Sequence, residues 1–304
     1  MARAPLPLPR FCLPVHPSLT DTFFLAPKRP LNLPRRQHLF STHTPSKNLQ
    51  LQKHLSSSRY LFTMATPSID PRYLTLFQTL ESRFAKATSI PANKWSILAT
   101  ATLAAGPDPE RADQLYLYLT SQPAYNTSPA RKALVRRLRE ALFKAAIIVG
   151  VCKPIEAILA LAKVEKEEDK DPSPPTRENW TCDAANHERG VAWFNKLYKG
   201  NGNATLDLFA AHKDFSWLSM EITYGLFLSD RQVLDDLDTQ MVVLPGIMSQ
   251  NLPNESHWHI RGTRRLGVPM EDVRIVTECV KIVAEFYGVT LDKVPSVEDV
   301  EGDV

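Results

Sequence analysis

The sequence predicts an all-α protein, and three observations carry that reading. Apolar residues recur at helical spacing through almost the whole chain from Pro71 onward. Proline, glycine and capping residues fall where such helices would start and stop. Runs of strictly alternating apolar and polar residues, which would mark strands, are absent.

The elements follow in order. Tyr73, Leu74, Leu76, Phe77, Leu80 and Phe84 repeat at i, i+3, i+4 and i+7. A second apolar helix begins at Trp95-Ser96-Ile97-Leu98, after Pro91. Asp108-Pro109-Glu110 opens a third, with proline in the first turn and acids facing the positive end of the helix dipole. Ser128-Pro129 opens a long helix through Leu134, Leu138, Leu142, Ala145 and Ile148, which Gly150 stops. Pro154 starts another, through Ile155, Ile158, Leu159 and Leu161. The stretch from Lys163 to Pro175 is charged, then proline-rich, and reads as an exposed linker. Beyond it, His187 to Tyr198, Leu206 to His212 and Phe215 to Leu228 read as helices. Ser229-Asp230-Arg231-Gln232 has the form of a capping box, so the next helix is expected over Val233 to Met248. Pro253 breaks the chain, a helix runs to Gly267, and Pro269 to Tyr287 forms the last strong helix.

Composition narrows the function classes. Nine of the 36 basic residues and one of the 33 acids fall in residues 1–63, leaving 27 bases against 32 acids in the body. A mildly acidic body argues against a nucleic-acid surface. No apolar run reaches the ~18 residues that a membrane helix requires. The leader is rich in Pro, Ser and Arg and lacks a hydrophobic period, so it is expected to be disordered or a transit peptide, directing the protein to the mitochondrion. The alternative is a working start at Met64 and a cytoplasmic protein. Cys12, Cys152, Cys182 and Cys279 include no C-x-x-C pair, which excludes a zinc knuckle and a dithiol motif. The expected organisation is a leader at 1–63, a helical extension at 64–127, a first helical half at 128–164, a linker at 165–185, a main helical domain at 186–290 and an acidic tail at 291–304.

The segment from Asn254 to Gly267 holds two histidines, a carboxylate and three arginines. Groups this dense are costly to bury unless paired, so they either coat a solvated face or line a pocket. On a helix His257 and His259 lie about 200° apart in azimuth, too far to chelate one metal, and no metal is expected. Glu255 and His259 are four residues apart and share a face, where a carboxylate can orient an imidazole for proton transfer. His257, Arg261 and Arg265 form a neighbouring row, and an arginine there could take a carboxylate through its fork.

The span from Arg189-Gly190 to Gly288, about 100 residues, resembles the carboxymuconolactone decarboxylase family, related to alkylhydroperoxidase D. The matching residues are Arg189-Gly190, Glu221-Ile222-Thr223-Tyr224-Gly225, Trp258-His259-Ile260-Arg261-Gly262, Gly267-Val268 and the helix to Gly288. Residues 139–161 look like a degenerate copy of the last helices, so two related helical halves are expected. The resemblance implies an all-helical fold, a homo-oligomer such as a trimer or hexamer, no cofactor, and a histidine in a pocket. In the hydroperoxidase branch a C-x-x-C pair precedes that histidine by seven and four residues, and a relay glutamate by nineteen. Those positions here hold Leu252, Glu255 and Gln240. Thiol-dependent peroxidase or peroxiredoxin-type activity is therefore disfavoured, because the nucleophile is missing. The decarboxylase branch implies a carboxy-lyase acting on a small carboxylate-bearing lactone or keto acid. In that reading His259 is the acid/base, Glu255 its partner, and Arg261 and His257 bind substrate. The competing expectation is a non-catalytic helical oligomer that binds a ligand or serves as a scaffold.

Overall fold

The computed structural model describes residues 68–304. The leader at 1–63, Cys12 and the candidate start at Met64 lie outside the described residues. The described residues are helical with no strand, and no helix among them is long and apolar enough to cross a membrane.

Two helices are buried on every side. α2 (Trp95–Ala105) hides all of its residues, and α9 (Asp236–Met248) hides everything from Asp238 onward. α2 is apolar or small around the whole helix, as a central helix requires, and α9 is so from Met241 onward. Around α2 pack α1 (Pro71–Phe84), α3 (Ala112–Thr120), α4 (Ser128–Val149), α5 (Cys152–Val164) and, from the far end of the chain, α11 (Met270–Phe286). The N-terminal helices thus share one core with the C-terminal ones. Phe77 and Phe84 of α1 are fully buried in the same cluster as Val276, Cys279 and Val280 of α11.

A second, smaller cluster lies on the other side of α9. It joins Trp193, Phe194, Leu197 and Tyr198 of α6 (Ala184–Tyr198) to Met220 and Tyr224, with Val243 and Ile247 supplied by α9 itself. α9 is therefore the wall between two cores. Between α6 and α9 come two short helices, α7 (Gly202–Asp207) and α8 (Lys213–Trp217), and a π-helix over Leu218–Phe227. Leu228 N–H bonds the carbonyl of Thr223, five residues back, which is the π repeat. α10 (Pro253–Arg265) lies on α9 and α6, and α12 (Val297–Glu301) on α10 and α11.

Three local expectations shift. α9 starts at Asp236, because Asp235 and Asp238 form the capping box; Ser229 instead donates to the Gly225 carbonyl. The expected helix over Phe215 to Leu228 is mostly π-helix, a distinction that apolar spacing over so short a run does not make. The segment 165–185 is pinned to α4: Asp169 is fully buried on Arg131, and Asp171 pairs with Arg136 and Arg139. These acids sit in a run of charge that reads as solvated until α4 presents its arginines to them.

Candidate functional site

α10 begins at Pro253, where the missing N–H costs nothing. Its buried residues are Ser256, His259, Ile260, Arg261, Gly262 and Thr263, and the helix packs on α9 and α6. Gly262 lets α10 and α6 approach closely: a Cβ would come within 3.2 Å of Leu197 Cδ2, tighter than ordinary contact.

Behind this face of α10 lies the crossing of α6 with the π-helix. α6 and the π-helix cross where Gly190 meets Gly225; a Cβ on Gly190 would sit 2.5 Å from the Met220 carbonyl oxygen. Asn186, fully buried one turn earlier, donates to the Glu221 carbonyl at 2.9 Å and so satisfies π-helix backbone. From the π-helix Tyr224 donates its hydroxyl to that of Tyr198 at 3.1 Å. The Tyr198 ring in turn meets His259 edge-on at 6.3 Å and Trp258 at 6.4 Å.

His259 is buried, and desolvation, followed by the charge of Arg261, lowers its pKa to about 4. At neutral pH its imidazole is uncharged. The side-chain amide of Gln240, from α9, lies 3.4 Å from Nδ1 and donates to the His259 carbonyl and to Thr263 Oγ1, both at 2.9 Å. Two oxygen acceptors fix which end of the Gln240 amide is nitrogen. The nitrogen then faces Nδ1 and has no lone pair to accept from it, which favours the tautomer with the ring proton on Nε2.

Arg261 is 6 % exposed, and no carboxylate or other acceptor bonds its guanidinium among the described residues; its Nε is buried without a partner. Its charge acts on His259, Tyr198 and Arg265. Burial raises the Tyr198 pKa; Tyr224 and Arg261 oppose this, and Glu255 adds to it. Arg261, Glu255, Tyr198 and His259 are thus near enough to act on shared groups. Glu255 makes no hydrogen bond to His259 among the described residues, and the polar group that meets the His259 ring is Gln240.

His257 is drawn elsewhere. Its Nε2 meets Asp303 Oδ2 at 2.7 Å, and Arg265 bonds the carbonyls of Tyr198 and Asp303. The row of His257, Arg261 and Arg265 therefore has its two ends tied down and its middle free of any acid among the described residues. Two participants were missed in the sequence. Tyr198 was read only as the end of a helix, although Phe194 and Tyr198 at i, i+4 gave a visible aromatic pair. Gln240 was read as a lost relay acid rather than as the group that holds the histidine.

Other polar clusters look structural. A cavity of about 270 Å³ is bordered by Arg136, Arg139, Phe143 and Arg177, but each arginine already has an acidic partner. Lys144 is fully buried and donates to the Asp230 carbonyl and Thr239 Oγ1, both at 2.7 Å. Desolvation, then Arg231, lowers its pKa to about 7. Cys279 is buried in apolar surroundings, which push its thiol up to about 12; Cys152 and Cys182 are exposed.

No protein-family model matches the chain, and no solved structure matches it. Among curated proteins it is similar to Peroxisomal protein 2 of Schizosaccharomyces pombe, with 23 % identity over 142 residues. That alignment covers 45 % of this chain and 63 % of the length of the yeast protein.

Proposed function

We propose that this chain binds a small carboxylate-bearing molecule at Arg261 and processes it with His259 as hydrogen-bond donor and Glu255 as proton acceptor, as a decarboxylase-like or lactone-processing enzyme without metal or organic cofactor. The observation that carries the reading is Arg261, 6 % exposed with its Nε buried and unpartnered, which forms no ion pair among the described residues. A buried cation without a counter-charge is costly, and an incoming carboxylate would offset that cost through charge-assisted hydrogen bonds.

His259 fits one half of acid/base chemistry better than the other. A pKa of about 4 makes it a poor base at neutral pH, and Gln240 covers Nδ1. Its uncharged Nε2–H can donate to a developing oxyanion on a lactone or keto acid. The Tyr198 hydroxyl, which accepts from Tyr224, keeps its own proton for donation on the same side. Glu255 is the nearby candidate to accept a proton. Nothing in this scheme uses a thiol.

The second reading is a ligand-binding oligomer without turnover, favoured by Gln240 standing where a relay carboxylate would serve proton transfer. Thermal-shift binding of the full chain to a panel of small lactone and keto carboxylates, followed by carbon dioxide release and absorbance assays on the binders, separates the two. Arg261→Met should abolish binding; His259→Gln should abolish turnover and keep binding. Binding that survives Arg261→Met defeats the site assignment. Binding without turnover in the parent chain leaves the second reading.

For location, the name of the similar yeast protein supports a peroxisomal address over the expected mitochondrial one. Fluorescent fusions of the full chain and of a chain started at Met64 test this.

A further inference from the structure

α5 turns an apolar stripe outward. Val151, Ile155 and Leu159 are 58 %, 47 % and 51 % exposed, while Pro154, Ala157, Ala160 and Leu161 face the core. Such an exposed row on a helix that is otherwise well packed calls for an occupant. The spacing is informative. Cys152, Ile155, Leu159 and Ala162 are separated by three, four and three residues and all are exposed, the spacing of a narrow seam between two helices rather than the wider stripe of a helix facing a globular core.

The charges beside the seam say which occupant fits. Glu156 and Lys163 are both exposed, and neither forms an ion pair among the described residues. They are seven residues apart, so they lie on the same flank of the seam, about 10 Å apart along the axis. A two-fold axis between antiparallel helices keeps a flank on its own side and reverses its direction. Placed midway between Glu156 and Lys163, it sets Glu156 of each copy opposite Lys163 of the other and brings the two Leu159 side chains together across the axis. A parallel pair would not bring these charges together.

We propose that α5 is a self-complementary docking surface, on which a second copy of this chain seats its own α5 antiparallel, closed by two Glu156–Lys163 pairs. A single short helix gives less than the ~800 Å² per partner of a standard interface, so the association is concentration-dependent.

Sedimentation velocity of the full chain over a concentration series tests it. The parent chain should show a reversible two-fold step in mass. Leu159→Glu should remove that step and leave the circular dichroism spectrum unchanged, since the side chain is exposed. Glu156→Lys alone, and Lys163→Glu alone, should each weaken association severalfold by setting like charges opposite one another. The double exchange should restore it to near the parent value, a rescue that a merely structural role would not produce. A parent chain that stays monomeric throughout overturns the proposal and gives the face to some other occupant. So does a step that Leu159→Glu leaves in place, or a double exchange that stays as weak as the single ones.

Discussion

The side-chain amide of Gln240 lies 3.4 Å from the Nδ1 of His259 and donates at 2.9 Å to the carbonyl of that same residue. One amide from α9 thus ties down the backbone of the candidate catalytic histidine and Thr263, with its nitrogen against the ring. A neutral amide, unlike a carboxylate, gives no reason for the imidazole to be charged, so burial dominates and the pKa falls.

That depressed pKa makes stability depend on pH. The unfolded histidine titrates near 6.5 and the folded one at about 4. The unfolded state therefore gains a proton first as pH falls. Stability should be full above pH 6.5 and decline toward pH 4, where the loss from this residue reaches about 3 kcal/mol. Urea unfolding at a series of pH values should show the slope, and His259→Gln should remove that part of it. A parent and variant with parallel profiles would mean the ring is not buried neutral.

Arg261→Met should separate stability from function. Replacing a guanidinium that has no ion-pair partner should hold or raise the unfolding free energy of the ligand-free protein, while carboxylate binding disappears. Melting temperature and calorimetric titration on the same samples check both halves. A variant less stable than the parent would show that the guanidinium has a partner in solution.

Gly190→Ala should be expensive for a single methyl group. The new Cβ would meet the Met220 carbonyl at 2.5 Å, and backbone there cannot move aside without opening the π-helix. A loss of about 1–3 kcal/mol is expected from overpacking. Gly200→Ala, which meets nothing within 4 Å, is the control and should be near neutral. Equal effects at the two positions in urea melts would argue against the close crossing.

Lys144 should give a second pH dependence, at the alkaline end. Its folded pKa of about 7 lies below the ordinary 10.5, so the unfolded state holds more protons between those values. Stability should rise as pH climbs from 7 toward 10.5 and fall back as pH drops. Lys144→Gln should flatten the rise. Chemical denaturation between pH 7 and 10 in both proteins would show it, and an unchanged slope in the variant would dismiss it.

The thiols should sort by environment. With its pKa pushed up to about 12, Cys279 should stay unmodified by an alkylating reagent at pH 8 in the native state, while Cys152 and Cys182 react. Peptide mass mapping reads each site separately. Fast labelling of Cys279 would reopen thiol chemistry at this fold.

The sequence by itself determined the all-α class and most helix positions. Apolar spacing and proline or glycine punctuation are local signals, and α1, α4, α10 and α11 obey them closely. Helical geometry alone also separated His257 from His259; the first meets Asp303 and the second Gln240. The family resemblance pointed to Gln240, nineteen residues before His259, but its role needed the packing of α9 against α10. Tertiary structure decided the rest. Whether Glu255 or Gln240 meets the His259 ring, and whether Arg261 or Arg265 finds an acceptor, depends on helices far apart in the chain. Asp169 looked solvated and is buried because Arg131 lies 38 residues away in sequence but beside it in space. Burial and charge pairing are properties of neighbours in three dimensions, and local periodicity records which face a residue occupies but not what that face will meet.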